Sequence, residues 1–160
     1  MSGIESRELR DALGSYPTGV VAVTTLDRSG KPIGMTVNSF SSVSLDPPLV
    51  LWSIDKKSAF FDVFVRTDHY AVHVLGQDQQ QLSHDFSIGD PDHFAGIEYD
   101  SGIAGLPLLT SCLALFQCEV RSRYEEGDHV ILVGRVLDIR NNPAEPLVFV
   151  EGGYKRIVDN

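Results

Sequence analysis

Cysteine is scarce: the 160 residues contain two, Cys112 and Cys118, inside one apolar run. Their number and spacing argue against a disulfide-stapled scaffold or a zinc site and leave two buried thiols. Cations are outnumbered too, with 13 Lys and Arg against 22 Asp and Glu for a net charge of -9. No basic cluster is present, so nucleic acid is not an expected partner. No stretch approaches the ~18 uninterrupted apolar residues of a membrane span. The opening MSGIESRELRDALGSY alternates charge with apolar residues and lacks a signal-peptide core, so the expected address is cytoplasmic. Also missing are the phosphate-binding G-x-x-x-x-G-K-[ST], a G-x-G-x-x-G after a strand, H-E-x-x-H and G-x-S-x-G. His69 and His73 have no third ligand in view, so no metal is expected.

What is present reads as one domain over residues 1–160. Leu9 and Leu13 place a short amphipathic helix over Ser6–Gly14, with Ser6 as N-cap. β-Branched residues mark a strand at Val20–Leu26, and the Asp27–Gly30 turn returns the chain as a second strand over Lys31–Asn38. Pro47 and Pro48 set the entry to a third strand at Leu49–Ile54. Phe60, Phe61 and Phe64 change the period to that of a helix over Lys57–Val65, N-capped by Ser58. A strand at His69–Leu75, a helix at Gln77–Phe86 and a loop-rich stretch from Ser87 to Thr110 follow. Strands are then expected at Leu113–Tyr124, His129–Arg140 and Pro146–Val150. About seven hairpin-joined strands with two or three short helices argue for a mainly β, antiparallel barrel.

The most informative stretch is GMTVNSFSSVSLDPPL, Gly34–Leu49, rich in hydroxyls with Asp46 as its sole charge. Thr36, Asn38, Ser39, Ser41 and Ser44 together suit a flat heteroaromatic edge and a sugar-phosphate chain. Downstream, Lys56 and Lys57 precede Ser58 at an expected helix start, a local anion site in an acidic chain. The same residues serve equally as decoration of an edge strand and a solvated lysine pair. Gly127-Asp128-His129 at a hairpin tip and Gly153-Tyr154 after the last strand offer a hydrogen-bonding imidazole and a stacking face.

These motifs in this order resemble the short-chain flavin reductases of the FMN-binding split-barrel superfamily. The markers are Pro17-Thr18-Gly19-Val20-Val21, Gly34-Met35-Thr36-Val37-Asn38-Ser39-Phe40, Ser42–Val50, Phe94-Ala95-Gly96, Gly127-Asp128-His129 and Gly153-Tyr154, spanning Leu13 to Ile157. The resemblance implies a Greek-key split barrel that dimerises. It implies that Thr36, Val37, Asn38, Ser39, Ser41 and Ser44 hold the ring edge and ribityl chain of FMN or FAD. Ser53, Lys57 and Ser58 would hold its phosphate, although Asp55 puts a negative charge nearby. His129 would position the nicotinamide of NADH or NADPH, with Gly153 and Tyr154 on the same side. The implied activity is hydride transfer from NAD(P)H to flavin, with reduced flavin passed to a partner monooxygenase. A non-catalytic flavin-binding protein and a split-barrel oxidase are the alternatives. Arg28, Lys31 and Arg156 are the cations available to read a 2′-phosphate.

Overall fold

The computed structural model describes residues 3–160; Met1 and Ser2 of the opening segment lie outside them. Seven antiparallel strands form the main sheet. In spatial order they are β3 (Pro32–Val37), β2 (Val21–Leu26), β6 (His69–Val74), β9 (Ala114–Glu126), β10 (His129–Asn141), β5 (Pro48–Asp55) and β4 (Ser41–Leu45). Strands distant in sequence lie side by side, β2 on β6, β6 on β9 and β10 on β5, which makes the topology Greek-key. The two edge strands, β3 and β4, do not pair with each other, so the barrel is split. Short strands β1 (Thr18–Gly19), β11 (Val148–Val150) and β12 (Gly153–Lys155) form a small second sheet. β7 (Tyr99–Ser101) and β8 (Pro107–Leu109) pair in the long loop, joined by a 3-10 turn.

Three helices accompany the sheet. Helix α1 (Ser6–Gly14) has the expected bounds, but Glu5 rather than Ser6 is its N-cap and no side chain caps it. It buries no residue, and Leu9 and Leu13 are exposed. Helix α2 (Phe61–Arg66) starts four residues later than the aromatic period suggests. A turn intervenes, with the Ser58 N–H on the Asp55 carbonyl and the Phe61 N–H on the Ser58 carbonyl, so Ser58 is not an N-cap. Helix α3 (Gln80–Ser87) also starts late, because the Gln79 side chain accepts the Gly76 N–H at 2.9 Å and holds a turn there.

Strand β2 lies inside the sheet with five of its six residues buried, which is what its unbroken β-branched run requires. Its polar side chains are satisfied: Thr24 Oγ1 donates to the Pro107 carbonyl at 2.6 Å, and Thr25 Oγ1 lies 2.9 Å from the His69 carbonyl. His73 is fully buried with both ring nitrogens on backbone, Nδ1 at the Ala22 carbonyl and Nε2 accepting the Leu109 N–H. Burial lowers its pKa to about 4 and keeps the ring neutral; with both nitrogens on backbone, neither is free to pair with His69 on a metal. Among the described residues no group of three or more His, Cys, Asp or Glu is placed to hold a metal ion. No helix is long and apolar enough to cross a membrane.

Barrel packing is tightest where Trp52 meets Phe64 and Tyr70 edge-on, at ring-centroid distances of 5.2 and 5.9 Å. The Tyr70 hydroxyl lies over Gly134 of β10, where an added Cβ would come within 2.1 Å of it. Gly134 is therefore required by a close approach and not by its dihedral angles. Gly134→Ala is expected to destabilise the fold by about 1–3 kcal/mol through overpacking. Urea unfolding with an unchanged midpoint would contradict this arrangement.

Candidate functional site

Strand β3 is an edge, and helix α3 lies against it. The Thr36 hydroxyl donates to the Ser83 carbonyl of α3 at 2.7 Å, pinning the helix to the strand. Two clefts open on either side of this contact and share Thr36 and Ser87. One, of about 310 Å³, is lined by Met35, Thr36, Asp55, Lys57, Ser58, Phe60, Phe86 and the Ser87–Gly89 backbone turn. The other, of about 270 Å³, is lined by Val20, Thr36, Val37, Asn38, Ser83, Ser87, Phe149 and Tyr154. A third, of about 670 Å³, shares Asn38 and Phe149 with the second and extends past Glu151 and Gly152 to Arg10 on α1. Together they form a groove from Lys57 to the first helix.

The Lys57 end carries the positive charge. Lys56 is already committed, its ammonium 3.0 Å from the Gly127 carbonyl and 3.4 Å from the Glu125 carboxylate. Lys57 forms no ion pair among the described residues and lines the cleft, so it is the lysine available to an anion. Asp55 does not oppose it from across the cleft. One carboxylate oxygen of Asp55 accepts the Lys57 N–H at 2.8 Å and shapes the turn. Because α2 begins only at Phe61 and has six residues, the anion site here is a lysine and a turn, not a helix N-terminus.

The β9–β10 turn stands at this same end, since His129 pairs in register with Asp55. Gly127 adopts φ +60°, the left-handed turn conformation that favours glycine. The Asp128 carboxylate lies 2.7 Å from His129 Nδ1. That hydrogen bond, above all, holds the Asp128 carboxyl below the usual carboxylate range. With Nδ1–H donating to Asp128, His129 presents Nε2 outward, the tautomer a hydrogen-bond acceptor needs.

Tyr154 lines the middle of the groove, its hydroxyl 2.7 Å from Ser83 Oγ and its ring 5.7 Å from that of Phe149. Gly153 sits beside it on β12, while Glu151 and Gly152 form the β11–β12 turn with φ +50° and +74°. Tyr154 thus lines the groove, whereas Gly153 and His129 do not; His129 stands beside its Lys57 end through its pairing with Asp55.

Of the other residues singled out from sequence, Thr36, Val37, Asn38, Lys57 and Ser58 line the groove. Ser39 spends its hydroxyl on backbone, and neither Ser39 nor Ser53 lines the groove. Ser39 Oγ bonds both the N–H and the carbonyl of Ser53, at 3.0 and 3.1 Å, replacing a strand at the split. Ser41 donates to the Ser42 carbonyl, and Ser44 lies on β4 paired with Leu49; neither lines the groove. Sequence reasoning missed Ser83, Phe86, Ser87 and Phe149. Ser83 and Ser87 share a helix face at i,i+4, a spacing that was available once α3 was recognised.

The Flavin reductase like domain family matches residues 13–158 of the chain. The chain is 44% identical over 154 residues to the FMN reductase (NADH) SmoA of Agrobacterium fabrum, covering 96% of this chain and 87% of that protein. It is 39% identical over 148 residues to the reductase component of a flavin-dependent trigonelline monooxygenase from Acinetobacter baylyi, covering 92% of this chain. It spans about half the length, 48%, of that protein and likewise of a Rhizobium meliloti relative. Among solved structures, the Streptomyces globisporus NADH:FAD oxidoreductase SgcE6, in complex with NAD and FAD fragments, superimposes with a TM-score of 0.90. The identity is 35%, over 96% of this chain and 93% of that one.

Proposed function

The chain belongs to the flavin reductase-like domain family, and on that premise we propose that it is an NADH-dependent flavin reductase that supplies reduced FMN or FAD to a partner monooxygenase. The observation that carries this reading is the groove itself: an unpaired lysine and a backbone turn at one end, a neutral hydroxyl-and-amide strand in the middle, and Tyr154 and Phe149 beyond. That donor set fits a flavin. The Lys57 ammonium suits a phosphate, Thr36 and Asn38 suit the ribityl chain and ring edge, and the aromatic side chains suit a planar partner.

Hydride transfer between nicotinamide and isoalloxazine is chemistry that the two cofactors supply when bound. The chain orients and shields. Lys57 neutralises the phosphate, α3 and β12 exclude water from one side of the groove, and Asp128 fixes the tautomer of His129 so that Nε2 can accept a hydrogen bond from a carboxamide. Of the cations that could read a 2′-phosphate, Lys31 is paired with Asp92 at 3.2 Å and lies with Arg28 at the β2–β3 turn, the far end of β3 from Asn38, which leaves Arg156, just past β12, for that role. Among the described residues Lys57 is the one cation lining the two clefts beside β3, so flavin is bound there moderately, as a product released to an oxygenase requires. Relatives are reductase components of such oxygenases. The two thiols are unpaired, which supports a reducing, cytoplasmic setting.

Exposed apolar residues on neighbouring strands support a homodimer: Val43 and Leu45 on β4, Tyr124 on β9, and Leu137 and Ile139 on β10, with Leu45 95% exposed. The expected mass by light scattering is twice that of the 17.6 kDa chain, and a monomer at micromolar concentration would overturn the pairing.

Anaerobic oxidation of NADH by the purified protein, with and without added FMN or FAD, tests the activity. Turnover that rises and saturates with flavin is expected; flavin binding without turnover would move the protein to the binding-only class. His129→Ala should raise the KM for NADH by roughly two- to tenfold, the worth of one hydrogen bond, and leave flavin affinity unchanged. Equal loss of both would remove His129 from the nicotinamide side.

A further inference from the structure

One buried side chain touches two aromatic walls of the Lys57 cleft, and the strand that carries Met35 and Thr36 of its lining, without lining the cleft itself. His93 lies in the loop after α3 and is 8% exposed. Its Nε2 accepts the N–H of Gly34 at 2.7 Å, and its Nδ1 faces the Asp90 carbonyl. A backbone N–H can only donate, so Nε2 is bare and Nδ1 carries the proton. Two main-chain groups thus select the neutral ring and its tautomer.

The ring also packs against Phe60, Phe86 and Phe94, at centroid distances of 5.1, 5.0 and 5.2 Å. Phe60 and Phe86 are walls of the Lys57 cleft, and Gly34 is followed directly by Met35 and Thr36, which line it. The spacing leaves no slack. A Cβ on Gly34 would come within 2.5 Å of the Phe86 ring.

Gly34 belongs to an edge strand, so its outward N–H has no neighbouring strand to pair with. His93 is its partner. A side chain without an acceptor there would leave that N–H buried and unpaired. The charged groups nearby belong to the same loop and its partner turn. The Asp90 carboxylate accepts the Asp92 N–H, and Asp92 pairs with Lys31. From the turn before α2, from α3 and from β3, the uncharged Phe60, Phe86 and Gly34 face the ring. On α3, His84 is exposed and the Asp85 carboxylate is held by Gln81. No carboxylate is hydrogen-bonded to Nε2.

We infer that His93 is a positioning residue for flavin binding: its Nε2 accepts the Gly34 N–H and clamps β3 against the Phe60–Phe86 wall, so that the phosphate end of the groove is assembled only with a hydrogen-bond acceptor at that point. The inference rests on the reading of the groove as the flavin site.

Titration of FMN fluorescence on the wild type, His93→Gln and His93→Phe tests it independently of turnover. The Gln amide oxygen reaches the position of Nε2 and accepts the same N–H. His93→Gln should therefore keep FMN affinity within about threefold of wild type. His93→Phe leaves the buried Gly34 N–H unpaired and should weaken FMN by about tenfold. The KM for NADH at saturating FMN should stay unchanged in both. If His93→Phe does not fold, as judged by circular dichroism, His93→Asn, whose shorter amide stops short of Gly34, takes its place with the same expected loss. Gln binding no better than a folded Phe or Asn variant would overturn the clamp, as would wild-type affinity in all of them. Lys57→Ala separates the two claims. Weakened FMN binding there with a failed His93 series overturns the clamp alone, and unchanged binding there overturns the groove reading and the clamp with it.

Discussion

An edge strand buried beneath a helix must satisfy its outward backbone without a neighbouring strand, and that constraint organises this molecule. β3 and β4 are the two unpaired edges of the main sheet. Closing the barrel by pairing them would have consumed the groups that now form the groove. Side chains do the work instead. His93 takes the Gly34 N–H, Thr36 ties β3 to the Ser83 carbonyl, and Ser39 bonds both backbone groups of Ser53. The His93 and Ser39 contacts take the place of ladder hydrogen bonds, and the Thr36 contact holds a helix where a strand would have been. The split and the site have one cause.

The same contacts explain how an acidic chain presents an anion site. Long-range repulsion from a net charge of -9 is weakened by salt over roughly 8–10 Å, so local geometry decides. Asp55 and Asp128 are both engaged, one with the Lys57 backbone and the other with His129. Lys56 is tied to the β9–β10 turn. Lys57 alone is left facing the cleft, against an apolar wall of Phe60 and Phe86 that lowers the local dielectric and strengthens its attraction for phosphate. One charge in the right place suffices.

Much of this was legible in the residues, for physical reasons that differ by element. β2 and β10 are long and β-branched, so period and propensity agree and their positions follow. β4 was overlooked because SSVSL is short, exposed and hydroxyl-rich, the composition of a blunted edge and not of a core strand. The start of α2 was misplaced because Phe60 and Phe61 continue a helical period that the Ser58 turn interrupts. Of the hydroxyl and amide side chains of that run, Thr36 and Asn38 line the groove proposed as the site, and Ser39, Ser41 and Ser44 do not. Thr36 and Ser39 spend their hydroxyls on the protein's own backbone, so they build the groove more than they fill it. Ser83, Ser87 and His93 were invisible as site residues because they act from elements that only the tertiary fold brings to β3.

Flavin bound along this edge makes one localised demand on the backbone: amides of β3 and of the α3 terminus must become less accessible. Amide hydrogen exchange of the protein with and without FMN reads that directly. The account predicts slowed exchange over residues 34–38 and 83–89, with the strands on the far side of the barrel unchanged. Protection centred elsewhere, at the Arg28–Arg66 cleft or the Cys112–Arg140 cleft, with β3 unaffected, would contradict it.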